Sequence, residues 1–140
     1  MKILLINSHH KIIGGAERYY FDLAKLLEEK GHHIAFFSMQ DAKNIKTKWS
    51  KYFLTRVNFS KNNLSGFIKK LFRMFYSIEA KDKISRILDD FKPDVVHINN
   101  IYYYISPSIL GEIKKRNIPI VQTVHDYQVV TPSVTFFPYS

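Results

Sequence analysis

The chain has 140 residues, 46% of them hydrophobic, no cysteine and a formal charge of +9. That length builds one core of ordinary domain size with little room for a second, and the lack of thiols excludes a disulfide framework and thiolate chemistry while suiting a reducing cytoplasm. The first apolar run covers only Ile3 to Ile6, too short for a signal segment or a membrane span, and no other stretch reaches spanning length.

Lys2 to Asn7 (KILLIN) is a continuous apolar run with polar ends, the pattern of a strand buried on both faces. NSHHKIIGGAER follows, with two histidines, a glycine pair and an arginine. Ala16 to Lys30 then places Ala16, Tyr20, Leu23 and Leu27 at helical spacing, with Gly31 positioned as a C-terminal cap. His33 to Ser38 (HIAFFS) is a second short apolar run. The first forty residues therefore read as strand, glycine loop, helix, strand.

The middle is less regular. Tyr52 to Phe59 fits a strand, and Leu64 to Asp90 reads as one long helix or two consecutive ones, stopped by Pro93. Asp94 to Ile98 is a third strand. Ser106 and Pro107 suit the N-cap and first position of a helix ending in Lys114, Lys115 and Arg116, where positive charge complements the dipole. A fourth strand runs from Ile118 or Ile120 to Val124. The final stretch, Tyr127 to Ser140, has no charge and two prolines and stops directly after a strand, which reads as a truncation.

Near-continuous apolar strands alternating with amphipathic helices predict an α/β fold, a Rossmann-like, doubly wound, mostly parallel sheet, as one domain over residues 1–140. In such sheets ligands gather outside the carboxyl ends of the strands. Those ends are Ser8 to Gly15, Ser38 to Gln40, His97 to Asn100, and His125 with Asp126; three of the four carry histidine.

The charge excess is local. From Ala42 to Ser77 there are nine basic residues and no acidic one, whereas the remainder is balanced. Such a block implies an anionic partner. On a helix over Leu64 to Ile78, Phe72, Phe75 and their apolar neighbours fill an arc of roughly 200°, leaving Lys69, Lys70 and Arg73 on the rest. That face suits a helix lying in an anionic membrane interface, and equally one covering the sheet with a solvated basic side. A nucleic-acid reading would use Lys43 to Arg73 with Trp49, Tyr52 and Phe53, but no recognition signature supports it.

Three blocks, GGAERYYFDLAKLLEEKGHHIAFFS, FKPDVVHINN and IPIVQTVHDY, closely resemble in order and spacing the N-terminal domain of glycosyltransferase family 4, the retaining group with the GT-B architecture. The resemblance is weak between Asp41 and Ala80. It implies the acceptor-side half of a two-domain enzyme, its donor-binding C-terminal domain absent from these residues, so that the chain alone would be inactive. Its co-substrates would be a nucleotide-sugar and a glycan or lipid-linked acceptor, at the cytoplasmic membrane face. Retaining transfer of this kind is thought to need no separate general base, positioning and leaving-group stabilisation doing most of the work.

Site residues follow from that resemblance together with the residues themselves. His125 in TVHDY stands where a family histidine contacts the transferred sugar, and Asp126 beside it would orient the imidazole or cap the following turn. Gly14 and Gly15, at the start of a helix, offer backbone N–H groups to a diphosphate or to the acceptor. Arg18, His97 and Asn99 complete the substrate-binding set. His9 and His10 point opposite ways on an extended segment, so at most one faces the cleft, and a structural or solvated role is favoured for each. No Asp-x-Asp motif or His/Cys/carboxylate cluster has ligand spacing, so no metal or other cofactor is expected. The competing reading is a non-catalytic Rossmann-like module that binds sugars, nucleotides, a membrane surface or a protein.

Overall fold

The computed structural model describes residues 1–55, 77–101 and 105–125. KILLIN forms β1 (Lys2–Asn7), buried in all but its first residue, as an unbroken apolar run demands. Helix α1 (Gly15–Glu29) follows. It stops at Gly31, whose φ of +82° is strained for any residue with a Cβ. Strand β2 (His33–Phe37) completes the first unit.

Helix α2 (Ile78–Phe91) is capped by Ser77, whose hydroxyl accepts from the Ala80 N–H at 3.1 Å, and it ends at Lys92 in the left-handed region, immediately before Pro93. Strand β3 (Val95–Asn100), helix α3 (Ser108–Lys114) and strand β4 (Ile120–Gln122) close the order. Helix α3 starts one residue later than its sequence suggests: Pro107, not Ser106, holds the N-cap position without a side-chain cap bond, and the Ser106 hydroxyl before it accepts from the Ser108 N–H at 3.3 Å.

All four strands are parallel, in the order β2-β1-β3-β4. Successive βαβ crossovers leave β1 first on one side and then on the other, so a topological switch point lies between β1 and β3. Tyr20 and Ala24 of α1 cover Ile3, Leu5 and Ile34 on one face. On the other, Ile84, Ile87 and Leu88 of α2 and Ile109 and Ile113 of α3 cover Leu4, Ile6, Phe37, Val96 and Ile98. Full burial of each such aliphatic side chain stabilises by about 1.5–3 kcal/mol. The doubly wound, Rossmann-like sheet expected from the sequence is therefore present.

Three local expectations need correction or fall elsewhere. Tyr52 to Phe59 is no strand at its start: Lys48–Tyr52 is a 3-10 helix, opened by a hydrogen bond from the Trp49 N–H to the Thr47 hydroxyl, and among the described residues of this run Leu54 forms an isolated parallel bridge to Met39. Short-range side-chain bonding there outcompetes β-propensity. Strand β3 runs two residues past Ile98, because Asn100 still pairs with Asn7 of β1 after a register step at Asn99. The first part of the expected long helix, with Lys69, Lys70, Phe72, Arg73 and Phe75, lies outside the described residues.

Candidate functional site

The register between β1 and β3 steps once: Ile6 pairs with Ile98, but Asn7 pairs with Asn100, leaving Asn99 as an extra residue. A bulge of this kind bends its strand and re-aims the side chain it carries. Here it sits at the carboxyl end of the sheet, beside the switch point. Asn99 is buried, and its amide nitrogen donates to Asn7 Oδ1 at 3.1 Å and to the Ala16 carbonyl at 3.2 Å. Three elements are thereby tied together: the end of β1, the end of β3 and the first turn of α1.

His125 lies just beyond β4, and its Nε2 is 2.5 Å from Asn99 Oδ1. The imidazole is exposed, with its edge against the Tyr19 ring at 5.2 Å between centroids. Tyr19 reaches from α1 to Thr123, hydroxyl to hydroxyl, at 3.4 Å. Thr123 also meets His97 Nε2 at 2.8 Å. One connected polar rim thus joins Asn7, Tyr19, His97, Asn99, Thr123 and His125. Burial, with a smaller contribution from the neighbouring His125, lowers the His97 pKa, so this imidazole is held neutral more firmly than one in water.

The glycine loop borders the same rim through Ala16. Gly14 is extended, and a Cβ placed on Gly15 would meet nothing within 4 Å, so neither glycine is demanded by the chain's own packing. Arg18 is exposed one turn into α1 and lines a shallow groove with Gly15 and Tyr19. The helix start already holds a carboxylate, since buried Glu17 accepts from the Gly14 N–H at 3.1 Å. That capping bond meets the positive end of the dipole and takes the first of its N–H groups.

His10 plays the structural part favoured for it. It is buried among the rings of Tyr20, Phe21, Phe36 and Phe53 at 4.8–5.9 Å, with Nδ1 3.3 Å from the Tyr20 hydroxyl. Burial lowers its pKa to about 4. Phe53 and Tyr52 are buried too, and Trp49 packs on Phe91 while donating to the Ile34 carbonyl at 3.2 Å, so this aromatic trio is committed to the fold rather than offered to bases.

Asp126 lies outside the described residues; among the described residues, His125 Nε2 meets Asn99 Oδ1. Sequence reasoning missed Asn7, Tyr19 and Thr123. Asn7 was legible as the polar end of an apolar strand; Thr123 enters through strand register and Tyr19 through the packing of α1 beside the sheet, neither of which leaves a local signal. Among the described residues there is no cluster of three ligands suited to a metal ion, and no helix long and apolar enough to cross a membrane.

Residues 13–138 match the family described as Glycosyltransferase Family 4. The chain belongs to that family. A curated Klebsiella pneumoniae relative, named as an uncharacterized 42.6 kDa protein in the cps region, is 28% identical over 150 residues, covering 98% of this chain and 40% of that protein. The crystal structure of Acinetobacter baumannii MurG is similar in fold, with a TM-score of 0.53 at 14% identity, over 99% of this chain and 43% of that one. The family 4 chain thus spans less than half the length of either protein, and its sheet is the Rossmann-like half of a GT-B architecture. The polar rim stands at the place where sheets of this topology take their ligands.

Proposed function

We propose that this domain is the acceptor-side half of a retaining glycosyltransferase that moves a sugar from a nucleotide-sugar to a glycan or lipid-linked acceptor in the building of a surface polysaccharide. The observation that carries this reading is the exposed His125 imidazole, held from beneath by Asn99 at the β1/β3 switch point. Membership of family 4 and the cps-region relative support the chemistry and the setting.

In this reading the rim is one wall of a cleft. His125 hydrogen-bonds a hydroxyl of the transferred sugar or acceptor, and His97 sets the neighbouring surface through Thr123. The remaining N–H groups of the first turn of α1, with Arg18, receive the negative charge of the donor diphosphate or the acceptor. Catalysis comes from positioning the two substrates on one face of the sugar and from stabilising the leaving diphosphate, with no metal and no other cofactor. The domain alone does not turn over, because donor and acceptor meet only when the opposite wall is present.

The basic, aromatic stretch from Leu64 to Ile78, with Lys69, Lys70, Arg73, Phe72 and Phe75, brings the enzyme to the anionic inner face of the membrane, where each nearby Lys or Arg contributes about 1 kcal/mol. The experiment is an assay of the full-length parent protein against a panel of nucleotide-sugars, with cosedimentation on anionic vesicles across a salt series. Sugar transfer that collapses in His125→Ala, with vesicle binding that weakens as salt rises, is expected. Turnover unchanged in that variant overturns the site assignment.

A further inference from the structure

The orientation of Asn99 is determined by groups that cannot reverse. Its Nδ2 lies 3.2 Å from the Ala16 backbone carbonyl, which only accepts. Its second partner, Asn7 Oδ1 at 3.1 Å, is fixed in turn, because the Asn7 amide nitrogen donates to the His9 carbonyl at 2.7 Å. Two backbone carbonyls thus set both amides, and exchanging oxygen and nitrogen in either would place like groups against each other. The atom that Asn99 turns toward His125 is therefore its carbonyl oxygen, 2.5 Å from Nε2. An amide oxygen cannot donate, so Nε2 must carry the proton. A neutral imidazole has one N–H, and its Nδ1 is then a bare lone pair.

We infer that Asn99, locked by Asn7 and the Ala16 carbonyl, is a positioning residue that fixes His125 in the Nε2–H tautomer, so that the exposed imidazole meets its ligand through Nδ1 as a hydrogen-bond acceptor. The ligand group this selects is an O–H or N–H donor, such as a sugar hydroxyl, rather than a bare phosphate oxygen. Asn99 itself touches no ligand: its burial and its three hydrogen bonds leave it inside, one layer behind the imidazole. The bulge in β3 serves this purpose by supplying the extra residue at the point where β1, β3 and α1 converge. The same arrangement, in which a second group sets the tautomer of a working histidine, recurs wherever an imidazole must present one particular nitrogen.

The identity of the donor rests on the sugar-transfer reading, but the tautomer does not, and the two are tested separately. Long-range proton–nitrogen correlation spectra of the 140-residue chain, recorded at a pH where His125 is neutral, read which ring nitrogen is protonated. The wild-type chain should show His125 as the Nε2–H form, with a slowly exchanging, downfield Nε2 proton. Asn99→Ala should lose that proton signal and shift the two nitrogens toward a mixture of tautomers. A wild-type His125 protonated on Nδ1, or the same mixture in wild type and Asn99→Ala, overturns the inference. The wild-type spectrum decides the first point even where a variant fails to fold. In the full-length parent, Asn99→Ala should lower kcat about tenfold; a parent protein that transfers no sugar while His125 shows the expected tautomer rejects the reading of function and leaves the positioning role standing.

Discussion

Asn7 and Asn99 stand 92 positions apart in the chain, yet their side-chain amides meet at 3.1 Å at the carboxyl ends of two neighbouring parallel strands. This contact joins the fold to the site. It exists because β1 and β3 share the face covered by α1 and because a bulge brings Asn99 level with the end of β1. Removing the acceptor leaves a buried N–H donor short of one partner, a loss of about 1–3 kcal/mol. Asn7→Ala should therefore lower unfolding stability by that amount in urea, with an unchanged slope.

His10 predicts a pH dependence of stability. Its folded pKa of about 4 lies below the ordinary 6.5, so between those values the unfolded chain binds a proton that the folded chain refuses. Stability from this group is complete above pH 6.5 and is lost as pH falls toward 4, by about 3 kcal/mol in all. Urea midpoints measured across pH 7 to 4 should show a steeper acid loss in wild type than in His10→Gln, which keeps a polar group without an imidazole to charge.

Gly15 separates stability from function. It is the first residue of α1, has open space where a Cβ would stand and shows no positive φ, so Gly15→Ala should leave the unfolding free energy unchanged or raise it by up to about 1 kcal/mol through helix propensity. On the proposed function the same methyl group intrudes where substrate approaches the start of α1, and turnover of the full-length parent should fall about tenfold. Activity equal to wild type would remove the loop from the site.

Arg116, just past α3, adds a polar tie to α2: it donates to Ser85 Oγ at 2.6 Å, to Asp89 at 2.8 Å and to the Glu112 carbonyl at 3.0 Å. Arg116→Ala should destabilise by about 1 kcal/mol at low ionic strength, and by less in high salt, because these groups are partly solvated. Thermal unfolding at two salt concentrations checks both the size and the screening.

Much of this architecture is legible in the residue order. KILLIN, the helical spacing of Tyr20, Leu23 and Leu27, and Gly31 announce the first βαβ unit, because burial on both faces and the left-handed cap each leave a local pattern. Asn99 falls at the end of β3 and His125 just past β4, whereas His97 lies within β3, paired beside Leu5 and Val121. What the order does not carry is register. The bulge at Asn99, the bond from Asn99 to His125 and the bridging position of Thr123 all depend on which residues of parallel strands lie side by side, and parallel strands are joined only through long crossovers. The 3-10 helix at Lys48–Tyr52 escaped for another reason: its aromatic residues carry high strand propensity, while a single threonine cap turns the backbone the other way.

The most direct test sets the rim against the opposite end of the sheet. Nucleotide-sugar turnover by the full-length parent is compared among His125→Ala and Tyr19→Ala at the rim and His32→Ala, whose ring lies beside the amino terminus at the start of β1. Losses of about tenfold or more are expected in both rim variants, with wild-type turnover in His32→Ala and similar melting temperatures in all three. Wild-type turnover in the rim variants, or an equal loss at both ends of the sheet, would contradict the assignment of the site to the rim.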